Sequence, residues 1–321
     1  MKKGIILFLC MMAGVCIFSL WVAYWFQHPQ KNLRTVVLIE KGASLSQISQ
    51  ILSKDQVLDF PILFKTIVYG TNSWRQLKAG EYFIPPSVTP AQLIRILKSG
   101  EVVLHPITVI EGETSSHVIQ KLNDDPRFQG ICEVPAEGSL LPETYYFPRG
   151  TERCKIVERM KKYMEVVLSD LWAKRSPNHL LQSPEELLIL ASIVEKETAF
   201  AQERPIVAAV FLNRLKIGMP LQADPTVLYS LTRGKGELGR ALIRKDLLNP
   251  SPYNTYLHTG LPPSPIANPG LASLKATAQP ALVDYLYFVA NGSGGHVFAT
   301  TLDNHQKNHA RWRKVRDGSS K

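Results

Sequence analysis

Residues 191–199 read ASIVEKETA and carry two glutamates, Glu195 and Glu197, at the end of the apolar run LLILASIV. A carboxyl group in such a place has two uses. Kept protonated by apolar surroundings, it is a general acid. Ionised, it needs water or a cation. The preceding SPEE, residues 183–186, is a helix start: a capping serine, proline at the first helical position and acids in the first turn. At roughly 100° per residue, Leu187, Leu190, Ala191, Ile193 and Val194 share one face. Glu197 falls on that face, one turn past Ile193. Glu195 falls at its margin, where a charged residue meets water, and Lys196 points away from the core. Desolvation and the negative end of the helix dipole both raise the pKa of an acid placed like Glu197. The alternative is a buried ion pair between Glu197 and Arg204 or Lys196.

Three later segments supply polar groups to a cleft. They are GMPLQADPTVLY (218–229), SPYNTYLHTGLPPSPIANPG (251–270) and YLYFVANGSGGHVFATTLDNH (285–305). Loops rich in Pro, Gly, Asn and Tyr present polar atoms and flat rings, which suits a sugar ligand. Asp224 is the candidate second carboxylate, or else the cap of a helix beginning at Pro225. Gln222, Thr226, Asn254, Thr255 and Tyr256 either hydrogen-bond sugar and orient Glu197, or stabilise their loops. Tyr253 and Tyr256 can stack on sugar faces, and His296 can point into the cleft. His305 and His309 have helical spacing but lack a third ligand, so no metal is expected. No cofactor is implied. The absence of G-x-S-x-G and H-E-x-x-H argues against a protease.

The elements that must position these groups follow from patterning. A helix over about 205–216 is stopped by Gly218. A longer one over about 152–172 repeats apolar residues from Ile156 to Leu171 at core spacing. DYLYFVA and HVFATT alternate around NGSGG as a hairpin. LIEKGASLSQISQIL (38–52) and TVIEGETSSHVIQKL (108–122) superpose, each reading as strand, glycine turn and capped helix. Between them, residues 80–100 give a further strand and helix, started at Thr89-Pro90 and stopped by Gly100. The G-x-x-L-x-x-I pattern with a short helix resembles the LysM module, which grips glycan chains.

Residues 4–26 carry no charge. At about 1.5 Å per residue they span roughly 35 Å, enough for a bilayer core. The run is too long for a signal peptide and ends in the bulky WVAYWF, whose Trp21, Tyr24 and Trp25 suit an interface belt. An uncleaved single-pass anchor is expected. Lys2 and Lys3 outweigh the sparse Lys31 and Arg34, which keeps the N-terminus cytoplasmic and sends the rest across. The excess of 37 Lys+Arg over 27 Asp+Glu, net charge +10, favours anionic partners. No RNP aromatics, zinc-finger spacing or basic helix supports nucleic acid. The basic C-terminal HARWRKVRDGSSK is a solvated tail or an anion-attracting one. Cys10 and Cys16 lie in the apolar helix. Cys132 and Cys154 either pair on the exported side or stay as buried thiols. A bridge would close a loop of about 22 residues and contribute about 3 kcal/mol.

Taken in order, ASIVEKET, LNRLKIGMPLQADPTV, YNTYLHTGLPPSPIANPG and YLYFVANGSGGHVF resemble the motifs of the YceG-like endolytic murein transglycosylases. EGSLLPETYYF is similar to that family's connector, with Leu141 where Phe is usual and Glu143 where Asp is usual. The resemblance is dense over 187–308 and loose over 36–100. It implies an α+β chain with a transmembrane helix, small LysM-like modules and an α+β catalytic domain. The expected boundaries are a cytoplasmic N-terminus at 1–3, an anchor at 4–26 and a linker at 27–35. A LysM-like region follows at 36–105, then a second module with its connector at 106–151 and the catalytic domain at 152–321. The resemblance implies cleavage inside peptidoglycan glycan strands at an inner membrane, coupling to peptidoglycan synthases, and Glu197 as the catalytic acid. Two alternatives stand beside it: a tethered peptidoglycan-binding scaffold without activity, and a two-carboxylate hydrolase using Glu197 and Asp224.

Overall fold

The computed structural model describes residues 2–30, 34–177, 180–236 and 238–318. Met1, Lys31 in the expected linker, and residues 319–321 of the basic tail lie outside the described residues. The chain is mixed α+β. Its described strands are short and form three two-stranded sheets. It divides into two compact units, residues 1–105 with 146–149, and residues 106–145 with 150–321.

The first unit begins with helix α1 (Lys2–Gln27). Residues Lys3–Gln27 are long and apolar enough to cross a membrane. Strand β1 (Thr35–Ile39) is followed by α2 (Leu45–Lys54), α3 (Pro61–Gly70), β2 (Gly80–Ile84) and α4 (Pro90–Ser99). β1 pairs antiparallel with β2, with Val37 opposite Tyr82. This register puts Val37, Ile39, Tyr82 and Ile84 on one face, where they are fully or almost fully buried with Phe64 and Leu93. Ser44 and Thr89 start α2 and α4 with capping boxes to Gln47 and Gln92. Trp25 differs from the sequence expectation of a lipid-interface residue: it is buried in this protein core. The last turn of α1 has an apolar protein surface to meet there, and burying the indole in it outweighs leaving it at a headgroup layer.

Strands β3 (Leu104–Thr108) and β4 (Thr144–Pro148) form the second sheet, and the division between the units falls within them. Helix α5 (Ser115–Asp124) repeats the local form of α2. Gly42 and Gly112 both take left-handed φ, and Thr114 accepts from the His117 N–H as Ser44 does from Gln47. The second unit continues with α6 (Arg153–Ala173), α7 (Pro184–Glu197), α8 (Arg204–Lys216), α9 (Asp224–Thr232) and α10 (Leu271–Ala278). It closes with the antiparallel hairpin of β5 (Tyr287–Ala290) and β6 (His296–Ala299), then α11 (Leu302–Gly318). Its core takes Met164 and Leu171 of α6, Leu187, Leu190 and Ile193 of α7, Val207 and Phe211 of α8, and Leu274 of α10. Helix α7 is buried nearly all round: Ile189, Ala191, Ser192 and Val194 are covered as well. Ser192, a polar residue in that helix, is satisfied by donating to Ile189 O and accepting from the Ile266 N–H. Cys132 and Cys154 are bonded to each other, their Cα atoms 5.1 Å apart.

Candidate active site

Glu197 is the last residue of α7, and Thr198 behind it is already extended. The residue is half-buried, with its carboxyl enclosed by protein. Burial first, and then the charge of Asp224, push it up to about 8, against a smaller opposing effect from the Arg214 guanidinium. No hydrogen bond reaches this carboxyl from the described residues. The result is an acid that keeps its proton at neutral pH and has it free to give.

Glu195 is different in kind. Its side chain is 5% exposed, not at a wet margin as its helical angle suggests. It accepts from the Gly270 N–H at 2.8 Å and pairs with Arg204 at 3.3 Å. The reason is the setting of α7: a helix enclosed on nearly every side has no wet margin, so a carboxylate there must be given donors. Arg204 is therefore the partner of Glu195, and Glu111 lies 3.6 Å from the same guanidinium. A Cβ at Gly270 would strike the Glu111 carboxyl, so a side chain there requires Glu111 to move aside. Lys196 is exposed and donates to Gly112 O.

Asp224 opens α9 but does not cap it. The N-cap position is Ala223, and no side chain bonds the helix start there. The Asp224 carboxylate accepts instead from the Tyr256 hydroxyl at 2.6 Å. Gln222 precedes it in a left-handed conformation (φ 49°), unusual for a residue with a side chain, and its N–H donates to Thr255 O. The hydroxyls of Thr226 and Thr255 bond each other at 2.8 Å and are buried, so they join the α9 start to the 251–256 loop. Asn254 is fully buried. Its amide donates to Leu247 O and Asn249 O, and its oxygen receives the Tyr256 N–H. Tyr253 bonds Ser264 through its hydroxyl and packs on Tyr229. His296 gives both its backbone N–H and its ring to Glu203, with Nδ1 at 2.7 Å.

Three supporting residues escape sequence reasoning. Arg214 of α8 is buried and donates to Leu286 O and Leu221 O, each at 2.7 Å. A lone arginine inside the apolar stretch VFLNRL was the signal. Glu203 ties Thr198 to His296. Asn268 bonds the 113 and 140 backbones at once through its side chain. Neither of the last two had a local pattern to mark it.

A groove of about 830 Å³ is lined among others by Lys196, Pro225, Tyr229, Glu111, His117 and Arg240. Lys196 and Pro225 are the sequence neighbours of Glu197 and Asp224, and Asp224 does not line the groove. Glu197 itself does not line it.

The family model of the YceG-like family matches residues 37–311. A Bacillus subtilis protein named endolytic murein transglycosylase is 34% identical, the match covering 87% of this chain and 85% of that protein. A Streptococcus pneumoniae protein of the same name is 28% identical over 84% of this chain, which spans only 57% of that relative's length. A crystal structure of a YceG-like protein from Listeria monocytogenes superposes with a TM-score of 0.54 at 33% identity, covering 85% of this chain and 98% of that one. The chain belongs to the YceG-like family.

Proposed function

We propose that this protein is a membrane-anchored lytic transglycosylase that cuts peptidoglycan glycan strands internally, with Glu197 as its single acid and base. The observation that carries the proposal is the enclosed Glu197 carboxyl, pushed up to about 8 beside Asp224. The names of the Bacillus and pneumococcal relatives support the same activity. Glu197 gives its proton to the oxygen joining N-acetylmuramic acid to N-acetylglucosamine, and that bond breaks. The muramoyl C6 hydroxyl attacks the oxocarbenium carbon in place of water and loses its proton to Glu197. The acid is regenerated, and the strand ends in a 1,6-anhydro sugar. Burial favours both steps, because it makes the carboxyl a reluctant anion and a ready base.

Asp224, held by Tyr256, stabilises the developing positive charge. Gln222 sits in a conformation of the kind that clusters at functional sites, next to that carboxylate. Its exposed side chain, with Tyr256 and the groove past Lys196 and Pro225, receives the sugar chain. Thr226, Thr255 and Asn254 act behind the surface, fixing the loops that carry these groups. The first unit adds a LysM-like grip on glycan, and α1 crosses the inner membrane with its N-terminus cytoplasmic and the rest of the chain outside. Work beside peptidoglycan synthases follows from a substrate that is newly made strand.

The closeness implied by the effect of Asp224 on Glu197 favours one second reading, a two-carboxylate hydrolase. The test is digestion of purified glycan strands by the full chain in detergent, with mass spectrometry of the ends. Anhydro ends that vanish with Glu197→Gln and persist with a folded Glu195→Gln support the proposal. Reducing ends point to the hydrolase. Intact strands with folded protein point to a binding scaffold.

A further inference from the structure

Helix α3 lacks the polar outer side expected of a surface helix. Phe64 and Val68 turn into the core of the first unit, yet Ile62 is 76% exposed and Tyr69 69% exposed. Ile62, Thr66 and Tyr69 follow at helical spacing and make one outward stripe. Thr66 adds little polarity to it, because its hydroxyl is spent on Ile62 O at 3.0 Å. Phe60 before the helix and Trp74 after it extend the apolar surface. Trp74 stacks on Tyr69, and the Arg75 guanidinium lies 5.1 Å from the Trp74 ring. From residue 56 to 79 the one acid, Asp59, faces three bases, Lys65, Arg75 and Lys78.

Helix α1 says what covers this surface. The Phe60 ring meets Trp21 edge-on at 5.4 Å and Trp25 at 5.9 Å. Trp25 is part of the module core, and the Gln30 N–H donates to Val88 O, so the end of α1 is built into the unit. Trp21 is one turn further back, about 6 Å along the axis. With residues 4–26 in a bilayer, Trp21 stands near the outer hydrocarbon boundary. Phe60, packed on it, is held at the same depth, and Ile62 follows two residues later.

We propose that α3 and the turn after it form a membrane-seated surface. Phe60, Ile62, Tyr69 and Trp74 enter the headgroup and upper acyl layer of the bilayer that α1 crosses, with Arg75 at the lipid phosphates. The arrangement is that of an interfacial helix, aromatic and aliphatic below and basic above. It gives the anchor a second point of attachment, so the first unit lies against the bilayer instead of swinging on a tether. This inference rests on the anchor reading of α1 given above.

The test uses the full chain in nanodiscs of phosphatidylethanolamine and phosphatidylglycerol, with a thiol-reactive fluorophore. Cys132 and Cys154 are bonded to each other and take no label. Three proteins are compared. The first is Cys10→Ser, labelled at the native Cys16 of α1. The other two add Cys16→Ser and carry either Ile62→Cys or Ser46→Cys, the latter on the exposed side of α2. The expected result is that labels at 16 and 62 are quenched by nitroxide lipids. Their quenching by aqueous iodide should be several-fold weaker than at 46. A label at 62 as open to iodide as that at 46, with 16 still lipid-quenched, overturns the inference and leaves the anchor standing. A label at 62 shielded from both quenchers means that a protein covers the stripe, and also overturns it. A label at 16 that escapes lipid quenching removes the anchor and the inference together.

Discussion

The Tyr256 hydroxyl donates to Asp224 Oδ1 at 2.6 Å, joining the start of α9 to a loop 32 residues later. The carboxylate so oriented acts on Glu197 by its charge. Asp224→Asn removes that charge, so the Glu197 pKa falls and the alkaline limb of kcat/KM moves to lower pH. Tyr256→Phe keeps the charge and frees its orientation. One charge-assisted hydrogen bond is then lost, and kcat drops about tenfold. The pH–rate profiles of the two variants separate these roles. Asp224→Asn also removes the charge that stabilises the transition state, so the rate falls about 10²–10³-fold as well; were Asp224 a base or nucleophile instead, the native products would carry reducing ends.

Glu197 makes activity and stability pull in opposite directions. Its pKa rises from 4.5 in the open chain to about 8 in the fold. Below the lower value both states hold the proton, and stability is greatest. Between the two values only the unfolded chain has released it, so stability declines as pH rises, and the decline is complete above the folded value. Glu197→Gln abolishes this slope. At pH 7 it stabilises the protein by up to about 3 kcal/mol while eliminating strand cleavage. Denaturant melts of both proteins at pH 5, 7 and 9 (about those values) check the slope.

Glu195→Ala has the reverse signature. It strips the Gly270 N–H of its acceptor and leaves Arg204 buried with Glu111, at 3.6 Å, as its remaining ion-pair partner among the described residues. Breaking a buried pair from one side costs about 3 kcal/mol. Thermal unfolding near pH 7 (about that value) should show a marked loss of stability with Glu195→Ala and a gain with Glu197→Gln.

How far the sequence could be read depends on whether the information was local. Periodicity along 187–197 is local, and it puts Glu197 on the buried stripe at the end of α7. The same periodicity misplaces Glu195, because it assumes a helix with one wet side and α7 has almost none. Asp-Pro at 224 reads as a cap because caps are local; its true partner, Tyr256, arrives from a distant loop. Thr226 and Thr255 look like sugar donors until the fold turns them onto each other. Arg214 and Glu203 act through backbone carbonyls and side chains that only the tertiary fold brings near. The capped helices, the left-handed glycines and the hairpin over 287–299 needed no such partners and were legible throughout.

The Cys132–Cys154 bond closes a loop with a sequence separation of 22. In the chain-entropy view such a loop contributes about 3 kcal/mol. Reduction, or Cys132→Ser with Cys154→Ser, should lower the unfolding midpoint by that equivalent. Cleavage at temperatures well below the midpoint should be unaffected, since neither cysteine adjoins Glu197.

Glu203 offers the last prediction. It accepts from the Thr198 hydroxyl at 3.2 Å and from the His296 N–H and ring at 2.8 and 2.7 Å, clamping the end of α7 to β6. Burial raises its pKa, but the hydrogen bonds from His296 and Thr198 and the imidazole charge outweigh burial and hold it below the ordinary carboxylate range. A carboxylate so lowered adds stability above its unfolded pKa and loses it as pH falls through the folded one. Glu203→Gln should therefore cost about 1 kcal/mol near neutrality, the low end for charged hydrogen bonds because solvent reaches the pair. The difference from the native protein should close in acid. Because Thr198 follows Glu197, kcat should also fall while KM stays near its native value. Equal stability curves for the two proteins across the whole pH range would show that the clamp carries no load.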